Sequence, residues 1–279
     1  MCRLYGFLAN QPTKVECTLV HAQNALLHQS RSDLTGLSHT DGWGISCYPN
    51  GIPLRERRAM AAHEDLWFST TAERTYSHAV VAHIRRATVG GPRLENTHPF
   101  LSHRWTFAHN GTLSNFEALE SHLAEETHSG LLSTRGGSTD SELIFLWLLS
   151  RFQDSGISID GLCDCSDHLI DVIADSLRLL REKSKSNLWR EASQFNFILT
   201  DGQILIATCW NHTLHYVTRI GLHDCEICGI PHVSSDSKDE YRACIIASEP
   251  ISDESWKAVA NYTILLVDQS VELHSYPVA

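Results

Sequence analysis

Nothing in the 279 residues approaches the ~20 consecutive apolar side chains that a membrane-spanning helix needs. Missing too is any Lys/Arg-rich run. Lys and Arg number 22 against 33 Asp and Glu, a formal net charge of −11. An acidic chain without a basic stripe lacks the footprint that a polyanion requires, so neither nucleic acid nor a membrane is an expected partner. A basic n-region followed by a long apolar run is also absent, since Lys14 and Glu16 interrupt the first segment. The expected compartment is therefore the cytoplasm. No repeat, low-complexity segment or Pro/Ser-rich linker divides the sequence, and residues 2–279 are expected to form one domain with ample core.

The composition is that of an ordinary globular protein, 42% apolar and 20% charged. Nine cysteines, an odd number, are expected to be mostly reduced thiols in a cytoplasmic protein. Seventeen histidines are many for this length and raise metal binding as a question.

Short runs rich in β-branched and aromatic residues recur: "CRLYGFLA", "WGISCY", "AVVAHI", "RWTFAH", "NFILT", "QILIATCW", "LHYVT", "RACIIAS", "YTILLVD" and "VELHSY". Each is bounded by turn formers and reads as a strand. "DGQ" at Asp201 to Gln203 reads as a hairpin turn, which makes antiparallel pairing the expectation there. "STDSELIFLWLLSRFQ" carries Leu143, Ile144, Trp147, Leu148 and Phe152 as one apolar helical stripe, with Ser138 or Thr139 as cap and Glu142 completing a capping box. "SDHLIDVIADSLRLLREK" repeats that logic. The pattern is α+β and layered.

Cys2 poses the first functional question. A small second residue lets Met1 be trimmed, and Cys2 would then offer a thiol and a free α-amine, nucleophile and base in one residue. A buried small hydrophobe on a first strand is the alternative. Four further segments place polar or glycine residues at strand ends. In "HTDGWGI" two glycines flank Trp43 and suit close backbone approach. "AHIRRATVGG" ends a strand in Arg85 and Arg86, which point to opposite faces, so one of them at most faces a given pocket. A guanidinium there suits a carboxylate, or is simply solvated or salt-bridged. "FAHNGTLSNF" holds Asn110 and Gly111, either a turn or an oxyanion hole made of a side-chain amide and a backbone N–H. "GGSTDSE" puts Asp140 in a first helical turn, where the helix dipole explains it and a substrate ammonium would suit it equally. Together these describe a ligand with an α-carboxylate, an α-ammonium and an electrophilic carbonyl: glutamine or a γ-glutamyl compound.

Met1-Cys2, "DGWGI", "HIRRAT", "ENTHPF", "FAHNG" and "STDSE" together resemble the class II glutamine amidotransferase domain of the N-terminal nucleophile hydrolases, in the family's order. "FNFILTDGQILIATCWNHTLHYVTR" and "IIASEPISDESW" are similar to its stand-alone bacterial members, so the resemblance spans nearly the whole chain. It implies a four-layer αββα sandwich of two stacked antiparallel sheets, with the catalytic motifs within residues 2–142. It implies Cys2 as nucleophile with its own amine as base and Asn110 and Gly111 as oxyanion pair. It further implies Arg85 and Thr88 at the glutamine carboxylate and Asp140 at the α-amino group. Arg86 is assigned no glutamine contact. No cofactor is implied. Nothing resembles the synthase or phosphoribosyl-transfer domains of larger relatives. The acceptor half of the chemistry is therefore absent, or supplied in trans by an ammonia-accepting partner protein or within a homo-oligomer.

Two other readings remain open. The same clamps would serve hydrolysis of a γ-glutamyl thiol peptide, since they read only the glutamyl head. "HDCEIC" with "GIPH" offers His223, Cys225, Cys228 and His232 as metal ligands, but the spacing matches no standard zinc motif and a buried thiol pair also accounts for it. No metal site is therefore expected. "CDC" at Cys163 to Cys165 reads as a loop preceding a helix. His39, His83, His98 and His109 lie beside the motifs and read as structural, with His98 in a Pro-containing turn.

Overall fold

The computed structural model describes residues 2–161, 166–185, 192–222, 224–233 and 240–278; Cys163, Cys165 and His223 lie outside them. Two antiparallel sheets are stacked face to face. The first comprises β1 (Arg3–Lys14), β2 (Gly42–Cys47), β3 (Leu54–Arg58), β4 (Tyr76–Arg85), β9 (His215–Ile220), β10 (Arg242–Ala247) and β11 (Lys257–Ala258), in the spatial order β11-β9-β10-β1-β4-β2-β3. The second comprises β5 (Phe100–Ser102), β6 (Trp105–Thr112), β7 (Gln194–Thr200), β8 (Leu205–Cys209), β12 (Thr263–Val267) and β13 (Leu273–Pro277), in the order β13-β12-β8-β7-β6-β5.

Three apolar cores separate four layers. Leu4, Leu8, Val81, Ala108, Ile198 and Ile246 meet between the sheets. Tyr5, Phe7 and Ala9, the alternate residues of β1, face outward into a second core with Trp43 and Phe68. Helices α1 (Leu26–Arg31) and α2 (Leu66–Arg74) and a π-helical turn, Cys17–His21, contribute Leu26, Phe68 and Leu19 to that core. The third core lies on the other outer face. There α3 (Phe116–Glu125), α4 (Ser129–Leu132), α5 (Asp140–Asp154) and α6 (Ser166–Ser184) pack on the second sheet around Phe107, Phe145 and Trp147. The expected αββα sandwich is what forms.

The local readings are met with two adjustments. Asp201 Oδ1 accepts the amides of Gln203 and Ile204 at 2.9 and 3.1 Å, and Gly202 takes φ +94°, which closes the β7–β8 hairpin. Thr139 caps α5 by accepting the Glu142 amide at 3.2 Å, but the Glu142 carboxylate does not reach back to close a capping box. It accepts the amides of Gly136 and Gly137 instead, at 3.0 and 2.6 Å, and so holds the preceding loop. α5 is buried along nearly its whole length, more than one stripe suggests, because it lies between the second sheet and helices α3 and α6. At Gly44 a Cβ would collide with the His98 carbonyl, so the glycine of "DGWGI" admits the crossing of residues 97–99.

The histidines beside the motifs are buried: His39, His83, His98 and His109 are each at most 3% exposed. Burial pushes His39 down to about 4 although its Nε2 lies 2.9 Å from Asp33 Oδ2. Burial likewise holds His83 and His98 well below the usual range, with their rings 4.3 Å apart, and lowers His109. They are neutral packing groups in the fold and basic ones in the unfolded chain. Below pH ~6.5 the unfolded state therefore binds more protons, and each group removes up to about 1.4 kcal/mol of stability per pH unit until its folded pKa is reached. The urea midpoint should be flat above pH 7 and fall steeply between pH 6.5 and 5. A midpoint that does not move across that window would show that these rings are not held neutral.

Candidate active site

Cys2 precedes β1, a central strand paired with β10 on one side and β4 on the other. Its sulfur lies 3.4 Å from both the amide nitrogen and the carbonyl oxygen of Arg86, donating to the oxygen and accepting from the N–H. Burial pushes the thiol up, opposed by the Arg86 amide and by the positive charges of Arg85 and Arg3. Arg86 thus meets the sulfur through its backbone.

Arg85, the last residue of β4, is 2% exposed. Nη1 donates to Gly91 O at 2.9 Å, and Nη2 to Val89 O and Gly90 O at 2.9 and 3.0 Å. Three of its N–H donors therefore pin the loop that follows the strand, against both sequence alternatives of a solvated or salt-bridged arginine. Thr88, on that loop, is exposed and lies 3.1 Å, oxygen to oxygen, from Thr112 at the end of β6. Asp41 supports the same segment by accepting the Ala87 amide at 2.8 Å.

Asn110 and Gly111 are strand residues of β6, not a turn. Asn110 is fully buried; Nδ2 donates to Ser248 Oγ at 3.3 Å, and Oδ1 has no partner among the described residues. Ser248 Oγ also accepts the Leu4 amide at 2.9 Å, which ties β6 to the start of β1 two residues from Cys2. At Gly111 a Cβ would strike the Gln194 carbonyl, so packing alone demands glycine. Asp140 opens α5 and is 3% exposed; Oδ2 accepts the Leu113 amide at 2.8 Å and Oδ1 the Ser141 amide at 2.8 Å. Arg85 is near enough that Cys2, Asp41 and Asp140 all act on its charge. The six candidate residues thus lie where β1 begins, β4 and β6 end and α5 begins, and bring a thiol, an amide, a guanidinium and a carboxylate to one end of the sheets.

Sequence reasoning missed what supports them. Arg3 donates from Nη1 to Cys2 O at 2.9 Å, and from Nη2 to Asp33 Oδ2 and Glu249 Oε1 at 2.5 and 2.7 Å. All three side chains are buried. Burial would raise Asp33, but bonds from Thr35, Leu37 and His39 and the Arg3 charge hold it well below the usual carboxylate range. His109 Nε2 lies 2.9 Å from the Gln194 carbonyl, which only accepts, so that nitrogen carries the proton and Nδ1 faces Ser141 Oγ at 2.9 Å. Ser248 and Glu249 lie within the run "IIASEPISDESW", which by itself marks neither of them. A cavity of about 190 Å³ lies elsewhere, beside Cys17 and His232.

Among known proteins, a family model described as class-II glutamine amidotransferases matches residues 1–275. A Saccharomyces cerevisiae protein named "Probable glutamine amidotransferase DUG3" is 30% identical over 311 residues, covering 98% of this chain and 84% of that one. A gamma-glutamyl-hercynylcysteine sulfoxide hydrolase of Mycobacterium tuberculosis is 25% identical over 96% of this chain and 94% of its own. The solved glutamine aminotransferase class-II domain protein of Silicibacter pomeroyi shares the fold, with a TM-score of 0.65 over 100% of both chains at 18% identity.

The Ser248 hydroxyl is the tie between β6 and β1. Ser248→Ala leaves the buried Leu4 amide and Asn110 side chain without it and should cost about 1–3 kcal/mol in urea unfolding. An unchanged midpoint would mean that the two strands are registered by something else.

Proposed function

The chain belongs to the class II glutamine amidotransferases, and from that premise we propose that it is an N-terminal cysteine amidohydrolase in which Cys2, made the first residue by removal of Met1, cleaves the δ-amide of glutamine. The observation that carries this reading is the seating of the Cys2 sulfur on the Arg86 backbone, near the buried Arg85 guanidinium, with the Ser248 hydroxyl joining the Asn110 amide to the Leu4 N–H two residues along the strand. Because burial raises the thiol, the resting sulfur is protonated and needs a base. An α-amine, with a pKa of about 7.7–8.0, is partly neutral at pH 7 and suits that task.

In this reading the amine takes the Cys2 proton, through a water, as the sulfur adds to the δ-carbonyl. The second Asn110 N–H and the Gly111 amide hold the developing oxyanion. Collapse expels ammonia, which leaves with the proton, and water then resolves the γ-glutamyl thioester to glutamate and free thiol. Three of Arg85's five N–H groups hold its loop, which leaves two for the α-carboxylate, with Thr88 beside it. Asp140 receives the α-ammonium. The cytoplasm, where the thiol stays reduced, is the setting this chemistry fits.

A second reading, hydrolysis of a γ-glutamyl thiol peptide, is favoured by the similarity to the γ-glutamyl hydrolase named above. The residues just described hold only the glutamyl head and serve either substrate.

The decisive measurement is the intact mass of untagged protein before and after 6-diazo-5-oxo-norleucine. Loss of Met1 and a single adduct on Cys2 is the expected result, with no adduct in Cys2→Ser and no glutamate release from it. An unlabelled Cys2 in protein lacking Met1 would refute the glutamyl pocket. Release rates from glutamine and from γ-glutamyl-cysteine then decide between the two substrates.

A further inference from the structure

A second cluster sits past the other end of β1. Cys17 opens the π-helical turn that follows the strand and is 4% exposed. Cys225, Cys228 and His232 lie on the connection between β9 and β10. One ligand atom from each of the four falls within 4.8 Å of every other. Cys228 Sγ and His232 Nε2 are 3.1 Å apart. The edge of a tetrahedron with Zn–S bonds of about 2.3 Å is roughly 3.7 Å, so small side-chain adjustments close the coordination sphere. We infer that Cys17, Cys225, Cys228 and His232 form a structural zinc site that fastens the β9–β10 connection to the end of β1.

The backbone around the cysteines has the form such a site needs. Residues 225–229 fold into a tight turn in which the Gly229 amide donates to Cys225 O at 2.8 Å, and Gly229 takes φ +72°, which glycine adopts freely. The Cys225 amide donates to Ile230 O at 3.1 Å, and Cys225 Sγ accepts the Ile227 amide at 3.4 Å. An N–H aimed at a sulfur is the support a metal-bound thiolate uses. The Lys14 amide donates to His232 O at 3.0 Å, and Thr13 bridges Val233, which brings the imidazole to the strand end where Cys17 waits. The cavity of about 190 Å³ lined by Cys17, Cys225 and His232 gives an entry path.

The donor set selects the metal. Three soft thiolates and an imidazole in a tetrahedral arrangement suit zinc, and four protein ligands leave no open position for catalysis. β1 alone spans roughly 40 Å at about 3.3 Å per residue, which places the cluster far from Cys2. A Cys225–Cys228 disulfide would need neither the imidazole nor a third sulfur. The sequence reading drew its four ligands from residues 223–232 alone; Cys17, some two hundred residues earlier, is found only in the fold.

The test uses the untagged full-length chain, purified under reducing conditions. One zinc per chain by elemental mass analysis is expected, and cobalt(II) in its place should give the visible bands of tetrahedral thiolate coordination. Cys228 is exposed, so Cys228→Ser should lose the zinc while keeping the far-ultraviolet circular dichroism and the labelling of Cys2. Cys17→Ser should lose it as well. The site is overturned if reduced protein takes up neither zinc nor cobalt, if Cys225 and Cys228 stay disulfide-bonded after reduction, or if Cys17→Ser keeps full zinc and the cobalt spectrum.

Discussion

The Arg3 guanidinium, buried beneath the first strand and shared between Asp33 and Glu249, is the contact on which the rest of the molecule turns. Chain termini ordinarily fray, whereas the chemistry proposed for Cys2 needs that residue held to a fraction of an ångström. Here the terminus enters a sheet in the middle. β10 and β4 bond to β1 on its two edges, and Arg3 reaches back to the Cys2 carbonyl. Its carboxylate partners come from the loop after α1 and from the end of β10, so one cation joins three stretches of chain. Removing one partner from such a buried set typically costs about 3–5 kcal/mol, because it strands a charge where water cannot reach it. His39 stays neutral beside Asp33, which keeps a further positive charge out of that space.

What was legible in the sequence was what is local. Strands such as "AVVAHI" and "NFILT" carry their own signature, because side chains buried on both faces leave a run of β-branched and aromatic residues. β3, "LRERR", carries none; it is an edge strand whose arginines lie partly exposed and reach backbone carbonyls such as Thr97 O. The candidate site was legible for a related reason: each of its residues sits beside a strand end or helix start that punctuates the sequence. Ser248, Asp33 and Glu249 were not legible, because their role exists only once β10 is registered against β1. No local window holds that register. Gly111 shows the reverse error, since its "NG" signature suggests a turn and the cause is a neighbouring carbonyl that leaves no room for a Cβ.

Several side chains at the site also hold the fold. Arg85 grips the loop of residues 89–91, Asp140 fastens α5 to the segment after β6, and Asn110 meets β1 through Ser248. A polar group buried for function alone would carry its desolvation as a net cost. Here that cost is offset by hydrogen bonds present before any ligand arrives. In the proposed reaction such groups would not have to reorganise as charge develops, and that pre-set orientation is where electrostatic catalysis gains most.

The same economy sets a limit on what substitution at these positions reveals. Loss of activity after Asp140→Ala would follow from a missing ammonium contact, and equally from an α5 start no longer bonded to the Leu113 amide. The two causes separate through shape. Asn at 140 keeps an oxygen acceptor for the Leu113 amide, gives up the one that receives the Ser141 amide, and removes the negative charge. A urea midpoint that survives in Asp140→Asn while substrate affinity falls points to the charge, rather than the α5 start, as what the ligand lost. Cys2 needs no such construction. Among the described residues its sulfur bonds the Arg86 backbone, at 3.4 Å, and its exchange for serine leaves nearly the same shape with a much less acidic group.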